Sequence, residues 1–265
     1  HNENYSGVKG MYTFDVSQLE VTVLGALAQE YALLDLMNSG RDIHRENYSH
    51  IYGVPLALVS DEQRRFAKAR SFELQYGSTS YGMSMSTGIS KQKCQEFIDG
   101  YYKKYPKIAQ YHGELLATVY HNSKVKYPLL TNTYREVQLP SGVMAKTSWY
   151  NSVMGRYYVF KPFDVGPYYL NNGIVPTVQT YDPVSSTWDT GRIPWKYSRP
   201  QVLNYICQGT GYDIVNLLRN NFMQSGGDSI HNQLEVHDSE TGWYSCPDPE
   251  FVVAALRVAL DKTVK

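Results

Sequence analysis

Cysteine is scarce in this sequence. The 265 residues contain three, Cys94, Cys207 and Cys246, and no two of them form a CxxC pair. An odd number without metal-ligand spacing argues against a disulfide framework or a zinc knuckle and fits a reducing compartment. Long apolar runs are missing as well. None approaches the length that spans a bilayer, and no secretory leader is visible. An excess of charge of one sign is also absent. Lys+Arg and Asp+Glu both count 25, so net charge neither indicates nor excludes a polyanionic partner. No internal repeat or low-complexity tract is evident. The chain opens on His1 rather than methionine, which reads as a trimmed protein or a piece of a longer one.

What is present is the composition of an ordinary globular protein, 42% hydrophobic and 19% charged, with enough length for one large or two modest domains. Tyrosine stands out, 24 against 8 phenylalanines. A ring with a polar tip suits half-buried surfaces and stacking on bases or sugars, and compositional drift is the plain alternative. A local cluster of Arg64, Arg65, Lys68 and Arg70 offers a positive patch that the net charge conceals.

Periodicity divides the chain. Residues around Tyr12 and Phe14 read as a strand that ends at Asp15. Leu19, Val23, Ala26 and Leu27 then recur at helical spacing, with Ser17 and Glu20 as a capping box. Residues 28–60 read as helical with breaks at Gly40 and at Gly53-Val54-Pro55. Ser60 to Gly77 reads as one helix that opens on a Ser60/Gln63 capping box. Helices are predicted from Ser90 to about Tyr105 and from Lys107 to about His121. Residues 126–199, rich in Tyr, Pro, Gly, Asn and Ser, read as hairpins and loops, with a poorly ordered insertion as the alternative. Helical spacing returns over 200–222. The string NQLEVHDSETGWY reads as a hairpin with His237-Asp238 near its tip and Gly242 in a turn, and 247–265 begins a last helix.

Three constellations can carry chemistry. Asp15 and Asp238 are strand-end carboxylates from distant regions of the chain, the minimum equipment for two divalent ions about 4 Å apart. Arg64, Lys68, Phe72 and Tyr76 are spaced by four, so they form one slowly drifting stripe on a helix, with two cations followed by two aromatics. Cations suit a triphosphate and aromatics suit sugar and base. A solvated basic end with a buried aromatic end is the ordinary alternative. Asn204 and Gln208, one turn apart and followed by Gly209-Thr210-Gly211, could donate to minor-groove acceptors or be plain polar surface.

Together and in this order, the segments DVSQLE (15–20), GRDIH (40–44), RRFAKARSFELQYGSTSYG (64–82), YPKI (105–108), NYICQGTGYDI (204–214) and VHDS (236–239) resemble the family A DNA polymerases, the DNA polymerase I class, and are most similar to its phage-type members. The resemblance covers 11–125 and 200–245 and leaves 126–199 as an insertion. It implies an α+β, right-hand polymerase fold, with an antiparallel palm sheet backed by helices and with helical fingers. The palm would begin over 1–30 and resume, shortened, over 200–265. The fingers would be 31–125 and the insertion 126–199. No thumb or proofreading exonuclease is recognised. These would lie on removed residues or on another chain, as would any processivity factor.

The resemblance also implies roles. Asp15, Asp238 and the Val16 carbonyl would hold two Mg2+ ions, with Mn2+ an acceptable substitute. Glu20 would exclude a ribose 2′-hydroxyl. His44, Arg64 and Lys68 would bind the triphosphate of a dNTP, with Lys68 also protonating pyrophosphate. Phe72 would lie on the sugar, and Tyr76 would occupy the template-base site. Asn204, Gln208 and His237 would contact primer–template DNA. The expected location is the cytoplasm, that of the host if a phage encodes the chain, with no membrane partner.

Two departures stand out. Ser239 replaces the glutamate usual after His-Asp, and Glu240 next to it would point elsewhere on a strand. Glu73 replaces a small residue and, about 100° round the helix from Phe72, would turn outward. The first departure keeps a phage-type single-subunit RNA polymerase in view, since that family reads His-Asp-Ser. Both departures together keep in view an inert DNA-binding module.

Overall fold

The structure is a computed structural model that describes residues 7–125, 136–236 and 239–264. In chain order its elements are β1 (Gly10–Asp15), α1 (Leu19–Leu27), α2 (Tyr31–Asn38), α3 (Ile43–Tyr52), α4 (Asp61–Gln75), α5 (Ser80–Thr87), α6 (Lys91–Lys104) and α7 (Pro106–Asn122). There follow β2 (Glu136–Gln138), β3 (Met144–Lys146), β4 (Ser148–Asn151), β5 (Tyr157–Phe160), β6 (Pro162–Asp164) and α8 (Pro167–Asn171). The last are β7 (Thr177–Asp182), β8 (Thr187–Arg192), β9 (Trp195–Tyr197), α9 (Arg199–Gly226), β10 (Ile230–Val236), β11 (Ser239–Tyr244) and α10 (Glu250–Val264). The chain is α+β and divides into two compact units, residues 1–20 with 208–265, and residues 21–207.

The first unit is a three-stranded antiparallel sheet in the order β1-β11-β10, backed by helices. Side chains of β1 alternate. Tyr12 and Phe14 turn inward and meet Phe222 of α9 edge-on at 5.2 and 5.5 Å, while Met11, Thr13 and Asp15 face out. Leu218 and Phe222 of α9, Ile230, and Val252, Ala255 and Ala259 of α10 complete the core. Alternation over so short a strand forces this choice, because only one face can be buried.

Two local expectations are corrected here. Ser17 does not cap α1. The helix starts at Leu19, and Gln18 takes a left-handed φ of 55°, which a helical first turn cannot contain. Gly242 is not in a turn either. It lies inside β11, opposite Tyr12 and Asn232, and a Cβ there would collide with the His231 carbonyl and lie 2.5 Å from the Tyr12 hydroxyl. Glycine here provides room in the sheet, not a bend.

The second unit is helical at its start. α3, α4 and α6 pack around Asn47, which is fully buried and accepts from Lys104 Nζ at 2.9 Å and Tyr105 Oη at 2.8 Å. Ser60 caps α4 in the predicted box, with Gln63 N donating to Ser60 Oγ at 3.2 Å and Ser60 N to Gln63 Oε1 at 2.9 Å. Downstream the described residues form four two-stranded antiparallel sheets, β2-β3, β4-β5, β6-β9 and β7-β8. The reading as hairpins therefore matches, except for α8, which Pro167 starts at its first position.

The hairpins are anchored. Phe160 and Tyr197 pack on Leu115 and Val119 of α7 and on Val202, Leu203 and Ile206 of α9. Tyr197 Oη donates to the Lys146 carbonyl at 2.6 Å, and Asn122 Nδ2 to the Trp149 carbonyl at 2.9 Å. Half-buried phenols recur in this unit, which is where the tyrosine excess is used.

Candidate functional site

Asp15 ends β1 on the exposed side of the sheet, and its Cα partner across β11 is Ser239. Val16 follows and packs against the apolar core below. Glu20 lies in the first turn of α1. His237 and Asp238 fall outside the described residues. Val236 and Ser239, on either side of them in sequence, are paired as β10 and β11. Glu240 turns away from Asp15. It is buried, and its Oε1 accepts from Tyr12 Oη at 3.1 Å. Burial raises its carboxyl, against the Tyr12 hydrogen bond and the nearby Arg219. Among the described residues no group of three or more His, Cys, Asp or Glu side chains could hold a metal ion.

The helical unit carries the stripe. Arg64 Nε bonds the Asp42 carboxylate. Lys68 Nζ lies 5.9 Å from the centre of the Phe72 ring, and Phe72 and Tyr76 are 6.5 Å apart. His44 joins them from α3, its ring 6.3 Å from Phe72. The His44 ring is 7% exposed, and burial pushes its pKa down to about 4. Asp42 opposes that shift, and the charges of Arg64 and Lys68 add to it. In this arrangement a neutral imidazole sits beside two cations. An anion bound there would be welcomed by all three groups.

Asp42 is the residue that sequence reasoning missed. It caps α3, accepting from the amides of His44 at 3.0 Å and Arg45 at 3.2 Å, and it also holds Arg64. Burial would raise its carboxyl, but Arg64 and those two amides together hold it below the usual carboxylate range. The signal was available, since Asp before a helical run is an N-cap pattern.

The positive patch is smaller than the sequence suggested. Arg64, Arg65 and Lys68 are at or near the surface, but Arg70 is buried and ion-paired at 2.8 Å to Glu73. The reason is angular. Arg70 is two residues past Lys68, about 200° round the helix, and so it points into the core. Glu73 does not simply face solvent. It holds Arg70 and accepts from Ser86 Oγ of α5 at 3.4 Å. Asn204 and Gln208 share one face of α9. Gln208 is exposed, and Asn204 Oδ1 is buried with no hydrogen-bond partner among the described residues.

Residues 4–148 match the family model described as DNA polymerase family A. The chain is 38% identical over 97 residues to DNA polymerase I of Pseudomonas aeruginosa, covering 37% of this chain and 11% of that protein. It is 35% identical over 98 residues to the thermostable DNA polymerase I of Thermus aquaticus, covering 37% and 12%. With DNA polymerase I of Geobacillus stearothermophilus it shares 30% over 130 residues, covering 49% and 14%. The chain thus spans only a small fraction of each relative. Among solved structures it is similar to the POL domain of Pol1 from M. smegmatis in complex with DNA primer-template and dNTP. The TM-score is 0.66 at 21% identity, over 97% of this chain and 37% of that one, a likeness of fold.

Proposed function

Because the chain belongs to DNA polymerase family A, we propose that it supplies the palm and fingers of a template-directed DNA polymerase that adds dNMP from dNTP to a primer 3′-hydroxyl. The observation that carries this reading is the α4 stripe. Arg64, Lys68 and Phe72 run in order along α4 and Tyr76 caps its end, with His44 beside them. The M. smegmatis neighbour was solved with DNA primer-template and dNTP, which supports the same ligands for this chain.

The residues present fit hard divalent cations. Asp15 offers an exposed carboxylate at a strand end, the Val16 carbonyl follows it, and Asp238 is bonded to Ser239, the cross-strand partner of Asp15. Glu240 is buried on the other side of the sheet, so the donor set is two carboxylates rather than three. When bound, two Mg2+ ions would activate the primer hydroxyl and stabilise the leaving pyrophosphate. Asp15, Val16 and Asp238 would hold them.

In this reading Arg64 exchanges Asp42 for a phosphate. Lys68 and His44 bind the same group, and Lys68 gives a proton to the departing pyrophosphate. Phe72 lies against the sugar, and Tyr76 occupies the template-base position. Glu20 leaves no room for a 2′-hydroxyl. Asn204 and Gln208 donate to minor-groove acceptors, and His237 holds the primer end. The palm would comprise 1–30 and 200–265, the fingers 31–125, and the hairpins of 126–199 an insertion. As a DNA-synthesising activity, the reaction would be placed in the cytoplasm. No helix among the described residues is long and apolar enough to cross a membrane.

Primer extension by the full-length protein tests the reading. Asp15→Ala and Lys68→Ala should each lower dNTP incorporation by about 10²–10³-fold or more, the usual loss when an electrostatic stabiliser of the transition state is removed. Efficient incorporation of rNTPs by the unaltered protein would sink the DNA reading in favour of RNA synthesis. Extension by the parent that stays at background, equal to that of Asp15→Ala, would support an inert module.

A further inference from the structure

Facing residues on an antiparallel pair of strands lie on the same side of the sheet. Phe14 faces Glu240, and Tyr12 faces Gly242. All four therefore lie on the helix-covered side, where Tyr12 and Phe14 meet Phe222. Glu240 is 1% exposed there. Its Oε1 accepts from Tyr12 Oη at 3.1 Å, and the same hydroxyl lies 3.4 Å from the His231 carbonyl oxygen. One phenol of β1 thus reaches a side chain of β11 and the backbone of β10. It can do so because Gly242 has no side chain. A Cβ would stand 2.5 Å from that hydroxyl.

Stability does not account for this arrangement. Glu240 Oε2 is buried without a hydrogen-bond partner among the described residues, with the charge of Arg219 nearby as partial compensation. A buried carboxylate costs several kcal/mol, and an apolar pair of similar volume is often as stable or more so. Register does account for it. The alternation of β1 already opposes a one-residue slip, which would turn Asp15 to the covered side. A two-residue slip keeps the alternation and would carry Asp15 about 7 Å along β11. After such a slip Tyr12 would face Glu240 or Tyr244 in place of the glycine. Only a position-specific contact penalises that error.

We propose that Tyr12 and Glu240 are positioning residues that keep Asp15 in register with Ser239, the residue bonded to Asp238, and so set the divalent-cation affinity of the palm. This rests on the polymerase reading above. The pair touches neither substrate nor metal and acts through the strand that carries Asp15.

Mn2+ binding to the full-length protein, followed by electron paramagnetic resonance beside thermal melting and Mg2+ titration of primer extension, tests it. Tyr12→Phe and Glu240→Leu should weaken Mn2+ binding and raise the Mg2+ needed for half-maximal extension about 10- to 100-fold, the range for residues that orient metal ligands. Glu240→Leu should do so with an unchanged or higher melting temperature, which a merely structural role would not produce. Glu240→Gln keeps an acceptor for Tyr12 and should bind Mn2+ nearly as the parent does. Unchanged metal affinity in Glu240→Leu, alongside its loss in Asp15→Ala, overturns the positioning role alone, as would a Glu240→Gln that falls as far as Glu240→Leu. Unchanged Mn2+ binding and extension in Asp15→Ala overturns the polymerase reading and the positioning role with it.

Discussion

Arg70 and Glu73 stand three residues apart on α4, and each is the other's ion-pair partner. Arg70 is 7% exposed on its side chain, and its Nε and Nη1 have no hydrogen-bond partner among the described residues, so Glu73 is its main compensation. Phe66 adds a ring 5.8 Å from the guanidinium carbon. Removing one member of a buried pair strands the other charge. Glu73→Ala should therefore destabilise the helical unit by about 3 kcal/mol, read from its urea midpoint. Arg70→Leu added to it should recover most of that loss. A Glu73→Ala protein as stable as its parent would mean that water reaches Arg70. The sequence showed Glu73 as an oddity beside the stripe and Arg70 as surface charge. Their spacing of three is legible along the chain, but the burial of Arg70 that makes the pair matter is not, because it depends on which face of α4 is packed.

At the scale of elements, α4 is fixed at both ends by local chemistry and then docked by contact. Its start is the Ser60/Gln63 box, legible as a spacing of three. Its end is Gly77, with φ 75°. A Cβ at Gly77 would lie 3.0 Å from Leu203 Cδ1, 3.1 Å from Arg199 Cγ and 3.3 Å from the Arg199 carbonyl oxygen, at the start of α9. Gly77→Ala combines a disfavoured left-handed φ with that crowding. It should cost about 1–2 kcal/mol, seen as a lower melting temperature of the helical unit. An unchanged melt would mean that α9 yields there. The hairpins of β2 to β9 were legible as hairpins from their composition. Their pairing, β6 with β9 around the β7-β8 hairpin, was not, because which strands pair depends on long-range contacts.

At the scale of the whole molecule, titration should act on one unit more than the other. Burial lowers the pKa of His44 to about 4 and, with Arg199 adding to it, that of His112 to about 3, and both residues lie in the helical unit. The unfolded chain takes up these protons near pH 6.5, where the folded unit refuses them. Stability is then fully present above about pH 6.5 and falls as the pH drops toward 4, by about 1.4 kcal/mol per pH unit for each group. Asp42, held low, adds its own loss only below the ordinary aspartate range. Glu240, held high in the sheet unit, works the other way as the pH falls. Denaturation followed by tryptophan fluorescence in a Trp243→Phe background, which leaves Trp149, Trp188 and Trp195 of the helical unit, should show midpoints that drop steadily from pH 7 to pH 4.5. A flat profile would mean that His44 and His112 are hydrated.

The sequence by itself determined the family, because ordered motifs need no coordinates. It also determined most helices of the first 125 residues, α5 and the start of α1 excepted, because spacing of three and four, capping pairs and glycine stops are local. It placed Asp15 at a strand end and the four-residue stripe on one helix face for the same reason. Tertiary structure decided what contact alone can decide: that Asp42 holds Arg64, that Arg70 leaves the positive patch for Glu73, and that Gly242 makes room for Tyr12 instead of making a turn. Asp15 was read as one of two acids that could bind metal. The fold adds that it stands opposite Ser239, and that Tyr12 and Glu240 are hydrogen-bonded on the buried side of the same strand pair. Such a pairing joins residues more than two hundred positions apart, and no periodicity along the chain encodes it.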